Sequence, residues 1–223
     1  MAPFLKLHPH VSYGLVDSRP VFLDLQRDRY FALDEAGEAA LGRAAQAGTA
    51  TGCDRADIER LLATGLFSPS MVPAPLEPVD VVVPTRSALE TTAARRGIGI
   101  GAAIDAHLSS RRARRAVRIE PLLRIVERER ARRDGRLRVL GEDVEELAQS
   151  FRAARALTPG AQVCLPNALA LLEWLARRSA YPALVFGVRL SPFGAHCWVQ
   201  TNEAILTDAV DIVADFTPVL VVP

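Results

Sequence analysis

The sequence predicts an α+β chain built in two sections, on three observations. Residues 11–33 break into short alternating runs, and two capped helical stretches follow them. Five prolines, Pro69, Pro73, Pro75, Pro78 and Pro84, crowd one stretch that is hard to reconcile with helix. In the last third, an apolar helical run opens at Cys164, and two strand-like runs after it carry His196 and Asp208. With 223 residues, 49% of them apolar, the chain can bury a real core.

Each element has a local reason. Val11 to Val16 and Val21 to Leu25 alternate as strands across the turn Asp17 to Pro20, with Val21, Leu23 and Leu25 on one face. Gln26 to Asp28 turns the chain into a third strand, Arg29 to Leu33. Asp34 can N-cap a helix from Glu35 to about Ala47, ended by Gly48. Asp54 or Asp57 can start another, which presents Ile58, Leu61 and Leu62 on one face and stops near Gly65. Three strands and two helices over residues 1–70 make a small winged-helix-like domain. Residues 71–85 read as a semi-rigid proline-rich linker. A second domain spans residues 86–223. In it Arg86 to Arg133 is helical in two or three pieces, broken near Gly97 to Gly101. After breaks at Gly135 and Gly141, helix resumes from Glu142 to about Leu157, and Thr158-Pro159-Gly160 stops it just ahead of Cys164.

Charge is unevenly placed although the net is only +1. Residues 86–138 hold 15 arginines against six acids, between two acidic ends. Aromatic residues do not interleave with these arginines, so they read as solvated helix faces, with neither nucleic acid nor membrane as a partner. No apolar run approaches the roughly 20 residues of a membrane span. The N-terminus lacks the pattern of a signal peptide. Three cysteines, Cys53, Cys164 and Cys197, are an odd number without framework spacing, which fits a reducing, cytoplasmic compartment.

The chemistry concentrates on Cys164, His196 and Asp208. A thiol at a helix N-terminus lies beside unpaired N–H groups and the positive end of the dipole, which favour thiolate. Pro166 suits the first helical turn, where its missing N–H costs nothing. A histidine from a neighbouring strand can act as base, and an acid can fix its tautomer. Asp208, closing the strand after the histidine strand, is expected in that role; Asp211 and Asp215 are expected on a solvated exit loop. The Cys164 N–H and the Gln162 side chain are the oxyanion candidates. Alternation puts His196, Trp198 and Gln200 on one strand face and Ala195, Cys197 and Val199 on the other, so Cys197 is expected to point away from the site. The spacing matches no zinc pattern, so no metal is expected. Gly97 to Gly101 follows no strand and so is not read as a phosphate loop. No cofactor is expected.

Nucleophile on a helix, then histidine, then acid on strands is the layout of papain-like and transglutaminase-like folds. Residues 164–208 resemble the transglutaminase-like leader peptidase of lasso-peptide biosynthesis, the B protein. The resemblance lies in Cys164-Leu165, the apolar helix to Arg178, Tyr181 to Val188, Phe193, Ala195 to Val199 and Asp208. Residues 20–41 resemble the leader-recognition element related to coenzyme PQQ synthesis protein D, through Pro20 to Leu25, Tyr30 to Asp34 and Ala39 to Leu41. Two departures stand out: Cys197 where a small residue is usual, and Asn167 where a basic one is expected. The resemblance implies a cysteine protease that cuts the leader from a precursor peptide before a separate asparagine-synthetase-like cyclase closes the ring. The leader would add to the strand edge at Tyr30, Phe31 and Leu33, beside Ile58, Leu61 and Leu62. Two alternatives stay open: a non-catalytic peptide-binding adaptor, and an amidase or acyltransferase of the same fold.

Overall fold

A computed structural model describes residues 4–47, 54–90, 99–133, 142–157 and 163–223. The chain divides into two compact units. The first is residues 1–80 with 218–220, and the second is residues 81–217 with 221–223.

In the first unit, β1 (Phe4–Leu7) pairs antiparallel with β5 (Phe67–Ser70), two strands that the sequence patterning does not foretell. A three-stranded antiparallel sheet runs β2 (Val11–Val16), β3 (Arg19–Asp24), β4 (Arg29–Ala32), with β4 at an edge. The β2–β3 turn holds Asp17 and Ser18 at positive φ, the twist a two-residue hairpin turn demands. Asp24, buried, closes the next turn by accepting from the backbone N–H groups of Gln26 and Arg27. Asp34 caps α1 (Glu35–Ala47) by accepting from Gly37 N–H at 2.8 Å. Asp54 caps α2 (Arg55–Ala63) by accepting from Asp57 N–H at 2.8 Å. Asp57, itself buried, accepts from Nε and Nη2 of Arg43, each at 2.6 Å, and so ties α1 to α2.

The core of this unit gathers Tyr13, Phe22, Leu33, Leu41, Ile58 and Leu61. Leu76 from the proline-rich stretch joins it, and its carbonyl accepts from the Tyr13 hydroxyl at 2.6 Å. Residues 71–80, expected as linker, are therefore part of the first unit. Proline excludes helix there but not packing.

In the second unit, α3 (Ile100–Ile119), α4 (Leu122–Arg133) and α5 (Glu142–Ala156) precede α6 (Cys164–Ala176). The helix expected from Arg86 does not start there: Ser87 forms a bridge to Ile205 instead. Gly48, Gly135, Gly141 and the stop at Thr158-Pro159-Gly160 lie outside the described residues. α3 turns small buried residues, Ala106, Ser109, Ser110, Ala113 and Ala116, inward and packs on α6, as does α5. α6 buries Ala168 to Leu172, Trp174 and Leu175, almost all round, as a helix enclosed by its own domain must.

Beside α6 lies an antiparallel hairpin of β6 (Ala183–Leu190) and β7 (Phe193–Gln200), and β8 (Thr217–Val222) follows the short α7 (Val210–Ala214). The strand order is β7-β6-β8, so β7 is an edge. Gly187 pairs with His196, and a Cβ at Gly187 would stand 2.7 and 2.9 Å from ring atoms of Trp198. Trp198 is fully buried and its ring cannot retreat. Gly187→Ala should therefore cost roughly 1–3 kcal/mol of stability through overpacking, read as an earlier urea midpoint. An unchanged midpoint would show that Trp198 has room to move.

Candidate active site

The site forms where α6 begins against β7. Val163 precedes α6 in extended conformation, and no side chain caps the helix start, which leaves first-turn N–H groups free of a side-chain partner. Pro166, buried in the first turn, fits a place where no N–H is needed. Cys164 is half-buried and its thiol is free.

His196 lies where β7 passes from an exposed end to a fully buried one. Trp198 stacks at 6.3 Å between ring centroids and Phe216 lies at 5.3 Å, so aromatic walls hold the imidazole on two sides. Trp198 Nε1 donates to Gln200 Oε1 at 2.7 Å, and Gln200 Nε2 donates to the Val82 carbonyl at 2.9 Å. The His196, Trp198 and Gln200 face read from alternation is thus one continuous support for the histidine.

His196 Nε2 meets Asp208 Oδ1 at 3.2 Å, each side chain less than a fifth exposed. The approach is that of an ion pair, not aligned as a linear hydrogen bond, and Nε2 has no other partner. Asp208 first and Cys164 second raise the His196 pKa to about 9, against the opposing effect of burial. Cys197 first and His196 second bring the Cys164 pKa down to about 4, again against burial. The pair is therefore thiolate and imidazolium at neutral pH.

Two expectations are corrected here. Residues 204–208 do not form a strand: only Ile205 bridges, to Gln200 and Ser87, and the chain then bends. Isolated backbone bonds remain, from Leu206 N–H to the Val199 carbonyl at 2.8 Å and from Ile205 N–H to the Arg86 carbonyl at 2.9 Å, and side chains add to them. Thr207 Oγ1 accepts from Val199 N–H at 3.0 Å, and Ser87 Oγ donates to the Asp208 carbonyl at 2.6 Å. Cys197 does lie on the face opposite His196, but it is buried there at 3% exposure, and Cys164 is the largest cause that raises its pKa, so it does not point away from the site. Asp211, expected on a loop, is exposed in α7, and exposed Asp215 pairs with Arg189. Gln162 and Cys53 lie outside the described residues.

In the first unit, Leu33, Ile58 and Leu61 prove to be core side chains, at 8%, 5% and 0% exposure. Packing against Phe22 and Leu41 occupies them, so they cannot line an open groove. Tyr30, Phe31 and Leu62 remain partly exposed, with Tyr30 and Phe31 on the edge strand β4.

A family model, the transglutaminase-like superfamily, matches residues 103–221, more than half of the chain and all three site residues. The chain belongs to the transglutaminase-like superfamily. Comparison with curated proteins and with solved structures gives no match. The superfamily typically has the fold of cysteine peptidases and transferases. Among the described residues no group of His, Cys, Asp or Glu is placed to hold a metal ion, and no helix is long and apolar enough to cross a membrane. Ser87, Thr207 and Cys197 are the site residues that sequence reading misses. No spacing announces them, because each acts through a backbone bend or a packing contact.

The charge logic can be checked directly. In Asp208→Asn the His196 ring loses its largest source of positive bias, so its NMR titration midpoint should fall from near 9. Asp211→Asn should leave it in place, because an exposed carboxylate couples weakly. A fall in Asp211→Asn with none in Asp208→Asn would reassign the acid.

Proposed function

We propose that this transglutaminase-like chain is a cysteine peptidase that binds and removes the leader of a ribosomally made lasso-peptide precursor. The observation that carries the reading is the thiolate–imidazolium pair of Cys164 and His196, with Asp208 behind it, at an uncapped helix start. The thiolate attacks the scissile carbonyl, and the Cys164 N–H at the helix start serves the oxyanion. The imidazolium gives its proton to the departing amine, leaving an acyl-thioester. His196, now neutral, takes a proton from water as the water attacks, and collapse releases the leader acid and restores the thiolate.

In this reading the first unit recognises the leader. β4 lies at the edge of its sheet, where a leader could add as a further strand, with Tyr30, Phe31 and Leu62 as side-chain contacts. Holding the leader on the same chain raises the effective concentration of the scissile bond to about the millimolar range of short tethers. The freed core peptide would pass to an asparagine-synthetase-like cyclase, the expected partner of the product.

Mass spectrometry of the full chain with the precursor encoded beside its gene tests the reading. The parent should yield leader and core as hydrolysis products. Cys164→Ala should lose at least about 10³-fold in rate while still binding the leader. Amine adducts in place of the free acid would point to acyl transfer, and binding without cleavage by the parent to an adaptor. The rate should also follow the ion pair: it falls below about pH 4 as the thiolate gains a proton, and above about pH 9 as the imidazolium loses one. A bell centred on a neutral histidine, rising only above pH 6.5, would remove the ion pair from the mechanism.

A further inference from the structure

We propose that residues 81–90 are a positioning strap for this site, and that Ser87 within it fixes the direction of the Asp208 carboxylate. The inference rests on reading Asp208 as the acid behind His196. The strap lies upstream of residues 103–221, the part of the chain that the family model matches.

The carboxylate has little to hold it in place. Among the described residues His196 is its only ion-pair partner. Its direction therefore follows from the backbone that carries it, and that backbone is a bend outside any strand. Whatever grips the bend decides where the carboxylate points.

Ser87 is that grip. Fully buried, it donates its Oγ proton to the Asp208 carbonyl at 2.6 Å. The Ile205 carbonyl is farther from the same oxygen, at 3.4 Å, so the one hydroxyl proton goes to Asp208. Leu89 N–H donates to Oγ at 3.1 Å, which occupies a lone pair and orients the hydroxyl. The strap also holds the chain on both sides of Asp208. Ala88 N–H donates to the Ile205 carbonyl at 2.9 Å, and Val210 N–H donates to Glu90 Oε1 at 3.4 Å.

The strap is itself fixed. Gln149 Nε2, from α5, donates to the Ala88 carbonyl at 2.8 Å, and Val81 and Val83 pack on the buried cluster of Trp198, Ile205 and Val213. The Val82 carbonyl accepts from Gln200, which in turn holds Trp198 against the imidazole. One segment thus supports both members of the His196–Asp208 pair. Removing the Ser87 hydroxyl leaves the Asp208 carbonyl without this donor, while the bonds at Ile205 and Val210 keep the loop in place. The expected result is a misdirected carboxylate in a folded protein.

Two readouts on the full chain test this: NMR titration of His196, which needs no substrate, and cleavage of the precursor encoded beside its gene. In Ser87→Ala the His196 midpoint should fall by roughly one pH unit, part of the fall in Asp208→Asn. The kcat should drop roughly tenfold with KM within about twofold, as expected of a misplaced group and not of lost binding. Ser110→Ala is the matched control. It removes another buried serine-to-carbonyl bond of this unit, to Ala106 at 2.8 Å, and should move neither readout. If the alanine variant of Ser87 folds poorly, Ser87→Cys keeps a side chain there with only a weak S–H donor, and its midpoint should fall in the same direction by less. A parent midpoint in whichever Ser87 variant folds, or an equal fall in Ser110→Ala, would overturn the strap and leave Asp208 as the acid. No fall in Asp208→Asn would overturn both. A parent that shows the midpoint changes but cuts no precursor would overturn the peptidase reading and leave the strap standing.

Discussion

The unlike charges of Cys164 and His196 are the constraint around which the second unit is arranged. A thiolate and an imidazolium each resist burial, and each is tolerated because the other is beside it. In the proposed reaction the pair must stay partly open so that a substrate carbonyl can reach the sulfur. It must also be enclosed enough that water does not screen the attraction. Cys164 is half-buried, and His196 and Asp208 keep 16% and 19% side-chain exposure, which meets both demands.

Two rigid supports hold the charges in register. α6 is surrounded by α3, α5 and the sheet, so its first residue cannot drift without moving a core of Leu169, Leu171, Trp174 and Leu175. β7 is fixed along its length by β6, and its His196 face by Trp198, Gln200 and the Val82 carbonyl. Gly187 makes this possible, because any side chain opposite His196 would occupy the space of the indole. The histidine is thus positioned by packing below it, not only by the acid beside it.

Much of this was legible in the sequence where chemistry is local. Asp34 and Asp54 announce helix starts because a carboxylate one residue before a helix satisfies an N–H that would otherwise be unpaired. The alternation through His196, Trp198 and Gln200 names one strand face correctly. Phe4 to Leu7 escapes a reading of pattern because a four-residue run gives only a weak alternation signal, and Phe67 to Ser70 because Pro69 argues against strand. In a two-stranded ribbon every strand is an edge, where proline is permitted. Asp208 is expected to close a strand that does not exist: isolated backbone bonds at Ile205 and Leu206 and the side chains of Ser87 and Thr207 hold the segment, and no periodicity reveals them. Leu33, Ile58 and Leu61 illustrate the opposite difficulty. An apolar stripe reads the same whether it faces a partner or the protein's own core, and here the core takes it.

The same ambiguity explains Cys197. Alternation says which face of a strand a residue occupies but not what lies across from that face. Placed on solvent, a second thiol next to His196 would be a target for oxidation and a competitor for the proton. Buried at 3% exposure, its pKa is instead raised well above the ordinary range of a thiol. Burial thus separates two chemically identical groups into one that is charged and one that cannot be. Partial exposure and a cationic neighbour set one limit, and an anionic neighbour in a closed space sets the other. The residue type is shared, so the environment alone assigns the roles.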